Sequence, residues 1–267
     1  MKQFILFAIC FWSVNTIGIC AQDSLNITEK ATIHENLNTE AIKAYEDGNY
    51  RKAIELFVKE IESLKNQGEE SASLYYNLGN AHFRANEVAQ AILYYERALL
   101  IDPGDRDIRH NIEYANTKIE DKILVADQFI LSSWLISIEN LMSSNAWAMF
   151  AIICFVVLIG CLAVFFFSGQ IRWKKITFYT GIVLIVFIII GNVFSYRQKQ
   201  EIEQRDTAIV MAASAPVHSS PDSNSKELFI LHSGTKVVIT KEDKIWLEIE
   251  INDGNVGWIR RNMIEII

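Results

Sequence analysis

Two uncharged apolar runs, Ala146 to Phe167 and Ile176 to Tyr196, limit what this chain can fold into more than any other feature. They hold 22 and 21 residues, and a bilayer core takes roughly 20 apolar residues to cross as a helix. Between them lies a short basic segment, Gly169-Gln170-Ile171-Arg172-Trp173-Lys174-Lys175. So few polar residues interrupt either run that the pattern predicts a transmembrane hairpin over 146–167 and 176–196, not two helices of a water-soluble core. Two crossings return the chain to the side it left.

The N-terminus sets which side that is. Lys2 precedes an apolar run from Phe4, and Gly18-Ile19-Cys20-Ala21 comes after it, which reads as a secretory signal over 1–21. Cleavage after Ala21 and retention as an anchor are both open, and either exports the domain that begins at Gln22. Arg172, Lys174 and Lys175 argue for a cytoplasmic loop, whereas Arg197, Lys199 and Arg205 argue the other way with Glu201 and Glu203 among them. The export signal decides between them. The expectation is a two-span protein of the bacterial inner membrane with both soluble parts in the periplasm.

Those parts differ in charge. Gln22 to Gln128 carries 20 acidic and 12 basic side chains, a balance of −8 against −7 for the whole chain. An acidic domain argues against nucleic acid as partner, because phosphate binding needs a basic patch. The cysteines, Cys10, Cys20, Cys154 and Cys161, all lie in apolar segments. The soluble parts therefore have neither a disulfide framework nor a cysteine zinc site.

From Asn38 to Lys122 apolar residues recur at spacings of three and four, the helical pattern. Tyr75-Tyr76-Asn77-Leu78-Gly79-Asn80-Ala81-His82-Phe83, then Ala91-Ile92, Tyr95, Ala98-Leu99 and Asp102-Pro103, resembles the tetratricopeptide repeat of about 34 residues. The resemblance implies that Gly79, Ala91 and Ala98 let two antiparallel helices approach closely, while Tyr95 and Leu99 fill the space between repeats. Pro103 stops the second helix, since it cannot donate the next backbone hydrogen bond. One repeat then runs from Ala72 to Asp105. A degenerate one lies upstream on Ala41, Ala44, Tyr45, Gly48-Asn49-Tyr50, Ala53-Ile54 and Phe57, with Glu60 where the family usually has alanine. Asp107 to Ala115 opens a capping helix that continues to about Val125, which gives a repeat domain over 38–125.

Phe129 to Met142 places Ile130, Leu131, Trp134, Leu135, Ile138, Leu141 and Met142 on one helical face and Ser132, Ser133, Ser137 and Asn140 on the other. Its only charge is Glu139. Directly before a span, this pattern favours an interfacial amphipathic helix over 129–142, with a soluble core helix as the alternative.

From Asp206 to Ile267 the period changes to two, with Gly234 and Asn252-Asp253-Gly254 as turns. Ala208-Ile209-Val210, Val217, Ser220-Pro221, Leu228 to Leu231, Ser233-Gly234-Thr235, Trp246 and Gly257-Trp258-Ile259 occur in an order similar to the bacterial SH3 domain. That resemblance implies that Trp246 packs in the barrel and Gly257-Trp258 closes the last hairpin. Trp246 and Trp258 are also the candidates for framing a peptide or cell-wall groove. The fold class is thus a multidomain membrane protein: all-α tetratricopeptide-repeat hairpins, a two-helix transmembrane hairpin and a small all-β SH3-like barrel.

No catalytic constellation is present. His34, His82, His110, His218 and His232 show no ligand spacing, and there is no phosphate loop, zinc helix or nucleophile elbow. The chain is expected not to be an enzyme and to need no cofactor or metal. Binding surface remains. In the repeat family the first helix of each pair lines a concave groove, which here means Tyr76, Asn77, Asn80, Phe83 and Arg84, followed by His110, Asn111 and Lys118. Asn side chains can pair both backbone groups of an extended peptide, and Arg84 with Lys118 can hold a carboxylate. The same residues serve equally well to solvate a groove or to join adjacent repeats.

Export signal, repeats, the helix Asp107-Ile108-Arg109-His110-Asn111-Ile112-Glu113-Tyr114-Ala115-Asn116, a two-span hairpin and a terminal SH3 barrel together resemble the BatE family of the Bacteroides aerotolerance (Bat) operon. The resemblance implies a membrane-anchored scaffold working with other Bat proteins, including von Willebrand A-domain membrane proteins, in oxidative-stress tolerance or envelope integrity. A cell-wall reading stands beside it, in which the barrel grips peptidoglycan.

Overall fold

The computed structural model describes residues 37–122 and 130–267, with side chains from Trp134 onward in the second stretch. The expected signal segment 1–21, the end of the expected repeat domain at 123–125 and the first residue of the expected interfacial helix lie outside the described residues. The chain divides after Glu69 into two compact units.

The first unit is a helical hairpin, α1 (37–46) and α2 (Tyr50–Lys65). Gly48 turns the chain at φ +77°, and the Asn49 side chain caps α2 by accepting the Lys52 N–H at 3.2 Å. Ala41, Ala44, Ala53 and Phe57 are buried. Glu60 is buried as well, and its Oε2 has no partner among the described residues. Burial pushes the Glu60 carboxyl up to about 7, because the charged form loses its hydration.

The second unit opens with α3 (Ala72–Arg84), α4 (Val88–Ile101) and α5 (Arg106–Asn116). Gly79 lets α3 and α4 meet: a Cβ there would lie 2.5 Å from the Tyr95 ring. Asn86, at φ 66°, turns the chain between the two helices. Helix α4 ends before Asp102-Pro103, and Asp105 caps α5 by accepting the N–H groups of Asp107 and Ile108 at 2.8 and 3.1 Å. Helix α5 ends at Asn116, well before Val125, where the Thr117 hydroxyl donates back to the Tyr114 carbonyl at 2.7 Å and the chain turns.

Helix α6 (Ile130–Glu139) leads to α7 (Ser144–Phe167) and α8 (Ile171–Gln204), the last two long and apolar enough to cross a membrane. At about 1.5 Å per residue their lengths are roughly 36 and 51 Å, against a hydrocarbon core of about 30 Å. Helix α8 therefore takes in most of the basic segment at one end and overshoots Tyr196 by eight residues at the other. Small residues hold the pair close: a Cβ on Gly191 would fall 3.2 Å from the Ala151 Cβ. The Trp147 ring meets Phe194 edge-on at 5.1 Å, and Ser144 Oγ donates to the Ser195 carbonyl at 2.9 Å. Most other side chains of the hairpin point outward and are apolar.

At the mouth of the hairpin the polar groups converge. Gln198 Nε2 donates to the carbonyls of Glu139 and Met142 at 2.7 and 3.0 Å, and Trp147 Nε1 donates to the Glu139 carbonyl at 2.8 Å. The buried Glu139 carboxylate stands 3.5 Å from Arg197 Nε. From the repeat side, Arg109 Nη2 donates to the carbonyls of Asn140, at 3.0 Å, and Pro103.

The C-terminal part holds seven antiparallel strands: β1 (Thr207–Val210), β2 (Ser214–His218), β3 (Glu227–His232), β4 (Lys236–Asp243), β5 (Trp246–Glu250), β6 (Val256–Arg260) and β7 (Ile264–Ile266). They lie in the order β3-β2-β6-β5-β4-β1-β7. Alternate residues face inward, so that Val210, Val217, Leu231, Leu247, Ile249 and Ile259 form the barrel core. Gly254, at φ +87°, turns β5 into β6, and the Asp253 carboxylate accepts the Asn255 N–H at 2.9 Å.

Candidate partner-binding cleft

The expected groove residues lie on α3, on α5 and in the turn after α5. Three of them are engaged with one another. Asn111 Nδ2 donates to the Tyr76 hydroxyl at 3.1 Å and to Asn80 Oδ1 at 2.9 Å, and the Tyr95 hydroxyl donates to the same Asn80 oxygen at 2.8 Å. This network joins α3, α4 and α5, so Tyr76, Asn80 and Asn111 hold the helices in register. Asn77 is half-buried, while Arg84 and His110 are exposed.

Phe83 and Lys118 do something else. The Phe83 ring lies 5.5 Å from Tyr114, and the Lys118 ammonium stands 5.1 Å over the Tyr114 ring. These groups form the floor of an open cleft of about 860 Å³. Its near wall is the turn from α3 to α4, with Glu87, Val88 and Gln90, and its far wall belongs to the barrel, with Met211, His232 and Ser233. Glu87 is fixed by the ring of His82, whose Nδ1 lies 2.7 Å from Glu87 Oε2 and whose face stacks on Tyr94 at 5.2 Å. Burial pulls the His82 pKa down against the opposing pull of Glu87.

The far wall is in place because the barrel is clamped to the repeat. Asp121 accepts the His232 backbone N–H and the Thr235 hydroxyl on Oδ2, both at 2.7 Å, and pairs with His232 Nδ1 through Oδ1 at 2.7 Å. The His232 imidazole is pushed up by its hydrogen bond to Asp121, against a smaller loss from burial. Burial raises the Asp121 carboxyl, but the bonds from the His232 backbone, the Thr235 hydroxyl and the His232 ring together hold it below its ordinary value.

Further clamps lie along α4. Lys236 Nζ donates to the buried Glu96 at 2.7 Å, and Arg97 Nη2 donates to the Ile266 carbonyl at 2.5 Å and to Glu265 at 3.2 Å. Gly234, at φ +96°, tucks its bare backbone against Ile119 and Ile92. Where α8 leaves for β1, Arg205 Nη2 reaches both oxygens of Glu70 at 2.6 Å. Burial, and then the neighbouring Glu70 charge, push the Tyr75 phenol up as its hydroxyl donates to that carboxylate.

Trp246 and Trp258 stand apart from the cleft. Trp246 is buried at the start of β5, with His218 edge-on at 5.3 Å and Arg260 at 5.4 Å. Trp258 is half-buried on β6, in register with Glu248 and His218. Sequence reasoning missed Asp121, Glu96, Lys236 and His232 as partners. The only local signal was the Ser233-Gly234-Thr235 turn, which marks a bend and not what the bend touches.

A tetratricopeptide-repeat model matches residues 72–105, and a bacterial SH3 domain model matches residues 213–265. The first match falls on α3 and α4 with their flanking turns, and the second on most of the barrel. No curated protein matches the chain. The molecule is therefore a helical repeat region, two long apolar helices and a C-terminal antiparallel sheet of SH3-like type.

Proposed function

We propose that this protein is a membrane-anchored scaffold whose repeat cleft binds a segment of a partner protein, and that it has no enzymatic activity and no cofactor. The observation that carries this is the cleft itself: an aromatic floor of Phe83 and Tyr114, a cation over one ring, and hydrogen-bonding groups on both walls. Such a surface suits an extended peptide with an apolar or aromatic anchor. Both soluble modules face the periplasm in this reading, which the export signal and the hairpin support, and the module order supports partners of Bat type acting in aerotolerance or oxidative-stress resistance.

Mild detergent extraction of the full chain should recover membrane partners, and Phe83→Ala with Tyr114→Ala should reduce that recovery severalfold while α3 to α5 stay helical. Unchanged recovery would show that the cleft is not the binding surface. A phosphatase reporter fused after Ile267 checks the orientation: it is active if the barrel is periplasmic, and a well-expressed inactive fusion reverses the topology.

A second reading is that the protein binds peptidoglycan through its barrel, supported by the similarity to bacterial SH3 domains. Sedimentation of the detergent-solubilised full chain with purified sacculi separates the two. Under this reading binding survives Phe83→Ala with Tyr114→Ala, and no sedimentation removes it.

A further inference from the structure

From Trp134 to Met142 six large apolar side chains face outward: Trp134, Leu135, Ile136, Ile138, Leu141 and Met142, with Trp134 71% and Leu141 66% exposed. Glu139 is the one buried residue of the stretch. Among the described side chains of α6, Trp134 to Ile138 are all exposed, so the exposure is not confined to one stripe. A surface so apolar is not left to water in a stable protein.

The surroundings indicate what covers it. Only Asn140 to Ser143 separate α6 from α7, whose outward side chains Met149, Ile152 and Ile153 are equally bare. The end of α6 is fixed at the mouth of the hairpin, since Gln198 and Trp147 both donate to the Glu139 carbonyl. Ten residues of helix span about 15 Å, half of what a crossing needs. Tyr196, Arg197 and Lys199 emerge from α8 beside Gln198, side chains suited to the headgroup layer. The single charge of the stretch, Glu139, is turned inward against Arg197.

We propose that α6 lies in the plane of the bilayer surface, with Trp134, Ile138 and Leu141 among the acyl chains, and serves as a platform that holds the repeat at headgroup level. The partner of this surface is lipid. The tie to the repeat is backbone-deep: Arg109 donates to the Asn140 carbonyl, and the Leu141 carbonyl comes so near Gly104 that a Cβ there would lie 2.9 Å from its oxygen. This assignment rests on α7 and α8 being membrane spans.

The test uses the full chain with Cys10, Cys20, Cys154 and Cys161 replaced by alanine, carrying one nitroxide label at a time through Trp134→Cys, Ile138→Cys or Leu141→Cys. The protein is reconstituted in nanodiscs of phosphatidylethanolamine and phosphatidylglycerol. Ile153→Cys reports the span and Glu113→Cys the aqueous face. The α6 labels are expected to match Ile153→Cys, with strong collision with oxygen and loss of collision with a water-soluble nickel chelate. If Ile153→Cys reports lipid while the α6 labels collide with the chelate as Glu113→Cys does, the platform is wrong and the span stands. Spin–spin broadening with weak collision to both reagents would show a second copy over α6 and overturn the assignment. Chelate access at Ile153→Cys would remove the span and the platform together.

Discussion

Asp121 accepts two hydrogen bonds from His232, one from the backbone N–H to Oδ2 and one from the imidazole Nδ1 to Oδ1, each 2.7 Å long. One residue of the repeat thus holds both the main chain and the ring of a barrel residue 111 positions away. The raised His232 pKa contributes attraction that is complete below the ordinary imidazole value of 6.5 and lost as pH rises through the raised value. The lowered Asp121 pKa contributes attraction that is complete above 3.8 and lost as pH falls through the lowered value. Docking of the barrel is strongest between those two limits. Amide exchange at Ser233 to Thr235, corrected for intrinsic rates, should be slower at pH 5.5 than at pH 8.5, and Asp121→Asn should flatten the difference. Equal protection at the two pH values in the unaltered chain would refute the coupling.

Gly234→Ala should undock the barrel without unfolding it. The new Cβ would be forced onto Ile119 at a backbone φ of +96°, a conformation that costs an L residue on the order of 1–3 kcal/mol even before the clash. Limited proteolysis should cut the 117–122 segment faster in the variant, while near-ultraviolet circular dichroism of the buried Trp246 stays in place.

Gly79→Ala acts inside the repeat. Its methyl would sit 2.5 Å from the Tyr95 ring, and overpacking of this kind costs roughly 1–3 kcal/mol. The expected result is faster exchange of the α3 and α4 amides, with the barrel amides affected as well because Glu96 and Arg97 on α4 carry two of its clamps.

Glu60→Ala should stabilise the first hairpin. A carboxyl whose pKa rises from 4.5 to about 7 on folding makes the folded state less stable as pH climbs between those values, by roughly 3 kcal/mol at alkaline pH. Alanine removes the penalty. Protection of the α2 amides, compared at matched pH, should exceed that of the parent at pH 8 and converge with it near pH 4.5. No gain at pH 8 would mean that the carboxylate is solvated in the folded chain.

The features legible in the sequence were local in origin. Pro103 stops α4 for a local backbone reason, Gly79 follows from the resemblance to the repeat, and the apolar runs follow from length alone; the Tyr95 ring, expected between repeats, lies instead against Gly79 inside the hairpin. Residues whose role depends on a distant partner carried no such mark. Asn80 is open in the sequence to two roles, pairing a peptide or joining neighbouring helices, and no local pattern marks the bonds it accepts from Tyr95 and Asn111. Asp121 is an ordinary acid after a capping helix until the barrel returns 111 residues later. The early end of α5 was hidden for a related reason: the polar run Asn116-Thr117-Lys118 suits an exposed helix as well as a turn, and only the hydroxyl of Thr117 folding back on Tyr114 decides between them.

Helix α8 runs without interruption from the basic segment to Gln204, and β1 begins at Thr207. Only Arg205 and Asp206 separate this long apolar helix from the first strand of the barrel, and Arg205 is pinned by Glu70. There is almost no slack in that joint. With the Asp121 bonds to His232 and Thr235, the Lys236–Glu96 pair and the Arg97 bond to the Ile266 carbonyl, this joint fastens the barrel to the helices at several separate points, so the two walls of the cleft are braced like a truss and keep their spacing.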